Sequence, residues 1–345
     1  MTPTKTEPSK LIDHSGAIGR AARRAPWSHV PNVEGIRDVD ELLTRAGLDW
    51  PIRLEPMVVT GESAAAGLVP KTRAVVRMGE EPRVLSTAGV RYEPIQNRWI
   101  AEMLLDGLAE DYPEVGWQHA GPIKGGREVI FVAKLNGMSF RVDANDEEGV
   151  DPYLIVLSSH GGHRALQAFI TSMTIWCTNQ LRTIAPSAIA TLRVQHSGQV
   201  NKKVIGLATA IERETVRWQR FQEWAKELAT LPANAEAIDR VGYVMHGEER
   251  TRARAEERRV ERIDALRTNF ANERGRSLWH LLNASTEWTN HEATYRPREF
   301  AVEDVRATSL LQGTVAHKQW DVVKVIDRIG LEQGLHASLS AGGVA

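Results

Sequence analysis

Apolar and polar positions change period several times along the chain, and each change marks an element. From Val39 the spacing of Leu42, Leu43 and Ala46 predicts a short helix ended by Gly47, glycine being the usual residue just past a helix. Asp49-Trp50-Pro51 turns the chain into Ile52–Val59, which alternates as a strand does. Residues 60–69 read as a loop, 71–78 as the next strand, and Gly79-Glu80-Glu81-Pro82 as the turn after it. Asn97 is placed to cap a helix whose Ile100, Met103, Leu104 and Leu108 share one face. From Trp117 the period returns to two. Glu128–Leu135 and 138–142 read as a hairpin around Asn136-Gly137, 153–157 as a further strand, and 174–177 as the close of another. Helix takes over after about residue 198. Ile205, Ala208, Ile211, Thr215, Trp218 and Phe221 form an apolar stripe ended by Pro232, and 276–289 and 314–329 are helical as well.

These elements predict an α+β fold: a curved antiparallel sheet with helices packed on one face, followed by a mainly helical C-terminal region. The organisation read from them is a flexible arm over 1–25, an α+β core domain over 26–198, a helical region over 199–330 and a flexible Gly/Ser tail over 331–345. Residues 248–276 hold nine arginines against seven acids, both signs interleaved, which reads as a solvated or intersubunit face.

Composition narrows the function classes. At 345 residues, 42 % hydrophobic and 25 % charged, the chain has the make-up of a globular protein with a sizeable core. Its formal charge of −1 leaves no global basic field, so any phosphate-binding surface must be a local patch. The single cysteine, Cys177, excludes an intramolecular disulfide and points to a reducing compartment. No run approaches the roughly 18 apolar residues that span a bilayer, and the first ten residues lack a secretory core. A cytoplasmic protein with no membrane partner is expected.

Candidate chemistry is sparse. The amides of Gln96 and Asn97 suit a base edge or, equally, a cap and turn lock. Tyr92, near Arg91 and Arg98, suits a stacking-plus-phosphate surface or the core. Lys124, Arg127 and Lys134, with Arg91, Arg98 and Arg164, would build a local basic strip. His160 and His163 flank Gly161-Gly162. A metal site needs three or four ligands, and neither a Cys pair nor HExxH lies nearby, so no metal is expected. The Gly-Gly loop followed by His163 and Arg164 would hold a phosphate through free N–H groups or serve as a structural turn. Cys177 in an apolar run reads as a core thiol, and Glu287, Asn290 and His291 as a hydrogen-bonded brace. No coherent nucleotide-binding, nuclease or hydrolase motif is present, so no catalytic set and no cofactor are assigned.

Five segments occur in order: Ala46-Gly47-Leu48-Asp49-Trp50, Arg91-Tyr92-Glu93-Pro94-Ile95-Gln96-Asn97, Ser159-His160-Gly161-Gly162, Cys177-Thr178-Asn179-Gln180-Leu181, and Leu282-Asn283-Ala284-Ser285-Thr286-Glu287-Trp288-Thr289-Asn290-His291. Together they resemble the phage/plasmid-like family catalogued as domain of unknown function 932, over about residues 26–325. The chain departs from that family at Gly161 and His163, where an Asp and a Ser are usual, and at Trp27-Ser28-His29-Val30-Pro31, where the family tends to be Gly-rich. The resemblance implies carriage on phages and plasmids near replication and recombination genes, with no catalytic set. The reading that follows is a nucleic-acid-binding accessory protein, in its most concrete form a single-strand-binding or strand-annealing homo-oligomer. The alternative is a non-enzymatic structural or protein-interaction protein with a regulatory or counter-defence role. An enzyme would require His160, Glu287 or His291 to converge in a pocket.

Overall fold

Helix α1 (Val39–Ala46) shows local sequence acting as expected. The Asp38 side chain accepts the Glu41 N–H at 2.8 Å, Gly47 stops the helix at φ 65°, and Leu42, Leu43 and Ala46 are buried. In this computed structural model the described residues are 25–60, 67–105, 115–143, 149–161, 165–174, 180–182, 192–194, 205–247, 252–293, 295 and 299–339. Strands β1 (Ile52–Val59), β2 (Gly67–Arg77) and β3 (Arg83–Gly89) form a three-stranded antiparallel sheet. β2 therefore starts four residues before the expected Lys71, and its first part pairs with Val58 and Val59 beyond a bulge.

Helix α2 (Asn97–Leu105) leads into the second sheet, built from β4 (Val115–Ile123), β5 (Glu128–Leu135), β7 (Gly149–Ser159), β8 (Leu166–Thr174) and β10 (Leu192–Val194) in the order β10-β8-β7-β5-β4. The short strands β6 (Phe140–Arg141) and β9 (Gln180–Arg182) join β7 and β8. Asn136-Gly137 does not close the expected hairpin. β5 is paired along its length with β4 on one side and β7 on the other, so β6 pairs with β7 instead.

This sheet is covered on both faces, where one covered face was expected. Val129, Phe131 and Ala133 of β5 face one apolar cluster while Ile130 and Val132 face another, and β7 divides in the same way. An antiparallel strand buried on both sides reads as a continuous apolar run, and 129–133 is one. The larger cluster runs without a break from Val33 through α2 into α3 (Ile205–Thr230), α4 (Ala235–His246), α5 (Ala253–Ala271), α6 (Leu278–Glu287) and α8 (Thr314–Glu332). The second is closed by Trp27, Val30 and Leu311 of α7 (Val302–Gln312). The helices α4 and α7 were not foreseen, although Ala237, Val241 and Met245 of α4 are spaced four apart and Asn234 caps Ala237. No helix among the described residues is long and apolar enough to cross a membrane.

The expected C-terminal tail is docked as far as residue 339. Leu335 is buried, Glu227 accepts the His336 and Ala337 N–H groups, and these bonds hold its carboxyl below the usual range. Asp327, buried in α8, accepts from Trp224 Nε1 at 2.9 Å, Ser338 Oγ at 2.7 Å and the Leu339 N–H at 3.2 Å. Asp327→Ala leaves the Trp224 N–H dry and frees this segment. A loss of about 2–4 kcal/mol in urea unfolding is expected; a change below about 0.5 kcal/mol would show that the contacts add nothing.

Candidate nucleic-acid interface

The first three of the five segments meet where the two sheets join. Asn97 does not cap its helix. Its Nδ2 donates to the Leu48 carbonyl at 3.1 Å, which turns Oδ1 towards His160 Nε2 at 3.0 Å. Because Oδ1 can only accept, His160 carries its proton on Nε2. Both side chains are fully buried. The His160 N–H donates to the Arg127 carbonyl, and its own carbonyl accepts from Ser86 Oγ, each at 2.8 Å. One residue at the end of β7 thereby ties α2, β3 and the β4–β5 turn together. Gln96 pairs with Ile52 as a neighbouring strand would, accepting the N–H at 2.8 Å and donating to the carbonyl at 3.0 Å.

Trp50 lies at the centre of this joint. Its indole N–H donates to the Gly47 carbonyl, its ring meets His160 edge-on at 5.7 Å, and the Arg77 guanidinium sits 4.8 Å from its ring centre. The β4–β5 turn closes over it with three successive left-handed residues, Lys124 (φ 53°), Gly125 (φ 68°) and Gly126 (φ 92°). A Cβ on Gly126 would come within 3.5 Å of the Trp50 ring, and one on Gly125 within 3.2 Å of the Arg83 guanidinium. Arg77 and Arg83 stand directly opposite one another on β2 and β3. Like charges in that position repel.

The residues expected to bind nucleic acid are placed as follows. Gln96, Asn97 and His160 are committed to the joint. Tyr92 packs half-buried against the core, and desolvation pushes its hydroxyl well above the ordinary range. Arg98 is exposed but pairs with Asp40 at 2.6 Å and reaches Asp49 at 4.0 Å, and the Asp40 bond raises its pKa. Lys124 pairs with Glu128 at 3.0 Å, and its N–H is taken by Asp304 at 2.7 Å. Arg127 pairs with Glu299 at 2.7 Å and lies against Phe300. Lys134 is bound to Asp151. Arg91 is exposed. His163, Arg164, Cys177 and Asn179 lie outside the described residues. Of the brace expected from Glu287, Asn290 and His291, Asn290 takes part: its side chain donates to the Thr286 carbonyl and its own carbonyl accepts from Arg306 Nε, while Gln319 donates to the neighbouring Thr289.

Sequence reading missed the cations of the small sheet. Strands β1 to β3 carry Arg53, Lys71, Arg73, Arg77 and Arg83 against Glu55 alone. Among the described residues none of these five, nor Arg91, has a carboxylate within ion-pair distance. Lys71, Arg73 and Arg77 at even spacings were a legible sign of basic positions on one strand. The same sheet exposes apolar side chains, among them Leu68 (70 %), Val84 (59 %) and Val58 (58 %).

A family model described as "Domain of unknown function (DUF932)" matches residues 84–311. No curated protein and no solved structure matches the chain.

Proposed function

Because the chain belongs to the DUF932 family, whose description names no activity, we propose its role from its own surface: a nucleic-acid-binding accessory protein of phage or plasmid DNA metabolism, cytoplasmic, acting as a homo-oligomer on single strands. The observation that supports this is the set of five cations on β1 to β3 that form no ion pair among the described residues, in a chain of net charge −1. Unpaired guanidinium and ammonium groups on an open sheet suit the phosphates of an extended strand and leave its bases free to pair. The opposed Arg77 and Arg83 fit a bridging phosphate, which would relieve their repulsion.

Fluorescence anisotropy of a labelled strand of roughly 40 nucleotides, and of its duplex, across a salt series tests the reading, with light scattering on the same sample. Five phosphate contacts on a single strand predict a log–log salt slope of roughly −3 to −4. Absence of binding to either form at low salt removes the proposal. The exposed Leu68, Val58 and Val84 favour the second reading, a protein-interaction role, since apolar patches on a surface mark partner sites. In that case light scattering reports an oligomer, or a partner is bound, with no nucleic-acid affinity.

A further inference from the structure

His246 ends α4 at 7 % exposure, and among the described residues neither ring nitrogen has a hydrogen-bond partner. Its ring stands edge-on to Trp288 at 4.6 Å. Three cations act on it from the neighbouring helices: Lys318 of α8, and Arg262 and Arg259 of α5. Arg259 is held by Glu256 on its own helix. Arg262 is exposed and lies 5.7 Å from the centre of the Trp288 ring. The Lys318 ammonium donates to the Met245 carbonyl, next to His246, and Asp321, the acid whose charge reaches it, pairs with Lys324.

Burial and these positive charges push His246 down to about 4, so the ring is neutral at pH 7. A neutral imidazole offers one N–H donor and one acceptor, and leaving both dry is costly. Lys318 and Arg262, neither of them in an ion pair among the described residues, add to that cost. They also exclude a metal ion as the missing partner, because a cation would be repelled. A bound oxyanion accepts from the imidazole and neutralises both charges.

We propose that His246, Arg262 and Lys318 form a binding site for a phosphate group, separate from the cations of β1 to β3. Of the three, Arg262 is the exposed one. The phosphate belongs either to a small free anion or to a nucleic-acid backbone. The site goes beyond the single-strand reading and does not depend on it.

Calorimetric titration with inorganic phosphate in an amine buffer tests the site. One saturable site is expected, weakened about tenfold or more by Arg262→Gln and by Lys318→Gln, the size expected for one charge-assisted hydrogen bond. Arg262 is exposed, and Lys318→Gln keeps an N–H donor for the Met245 carbonyl. Arg267→Gln, whose side chain is already paired with Asp239 and Asp264, is expected to bind as wild type. Sulfate, which keeps its charge across the range, is expected to bind more tightly as pH falls below 6.5, because the anion draws a proton onto His246. Among the described residues the charged groups acting on that ring are Lys318, Arg262 and Arg259, and His246→Gln removes the pH slope.

A labelled single strand identifies the source of the phosphate. Weaker strand binding by Arg262→Gln assigns it to nucleic acid, and unchanged strand binding assigns it to a small anion. Wild type that binds phosphate but no strand keeps the site and removes the single-strand reading. Phosphate binding that is absent, or that both substitutions leave unchanged, overturns the site.

Discussion

Charge reversal at Arg73 and Arg83 together is expected to weaken single-strand binding on the order of 100-fold at low salt and to flatten the salt slope by roughly 1.5 to 2. On the proposed surface each reversal would remove one phosphate contact and put a repelling carboxylate in its place. Both side chains are exposed on a sheet whose core positions lie elsewhere, so the fold is expected to survive. Arg98→Gln is the matched comparison. It deletes a cation that Asp40 already neutralises at 2.6 Å, and binding is expected to stay within about twofold of wild type. The two variants separate charge that is available from charge that is merely present. Equal losses in both would mean that binding follows overall charge, and the surface assigned to β1 to β3 would be wrong.

Asn97→Ala is expected to cost about 3–5 kcal/mol in unfolding free energy, a large share of a domain's usual stability. The substitution strips partners from two buried groups, the Leu48 carbonyl and the His160 Nε2–H, and leaves a cavity beside them. The loss is not purely local. His160 also fixes the Arg127 carbonyl and Ser86, so β3 and the β4–β5 turn are expected to exchange amide hydrogens faster. His160→Gln, which can still offer an N–H towards Asn97, is expected to recover part of what His160→Ala loses. A cost under about 1 kcal/mol for Asn97→Ala, with exchange unchanged in β3, would remove the joint as an explanation for these residues.

Much of the fold is legible in the chain because it is set by local rules. The Asp38 cap and Gly47 stop delimit α1, alternation marks β1, the apolar run Ala74-Val75-Val76 marks the later part of β2, and the stripe through Trp218 and Phe221 marks α3. The candidate site is legible only as a set of segments. Trp50, Gln96, Asn97 and His160 stand out as residues, yet their work is to hold backbone groups and one another: Gln96 and Asn97 act as locks, although Asn97 does not cap its helix. Helix α7 was missed because its apolar and polar positions segregate poorly, whereas α4 was legible in the spacing of Ala237, Val241 and Met245.

What the amino-acid sequence by itself determined is where elements begin and end, which faces are apolar, and membership of a family through segments in a given order. Those follow from backbone sterics, capping and periodicity, which act over a few residues. Pairing followed different physics. β6 pairs with β7 because both edges of β5 were already taken, and β5 is buried on both faces because Trp27 and α7, from opposite ends of the chain, cover the second. Charge followed the same rule. Arg127 reads as a free cation until folding brings Glu299, 172 residues away, against it, while among the described residues the arginines of β2 and β3 meet no acid. A charge is neutralised by whatever lies within a few ångströms of it, and only the tertiary structure decides what that is.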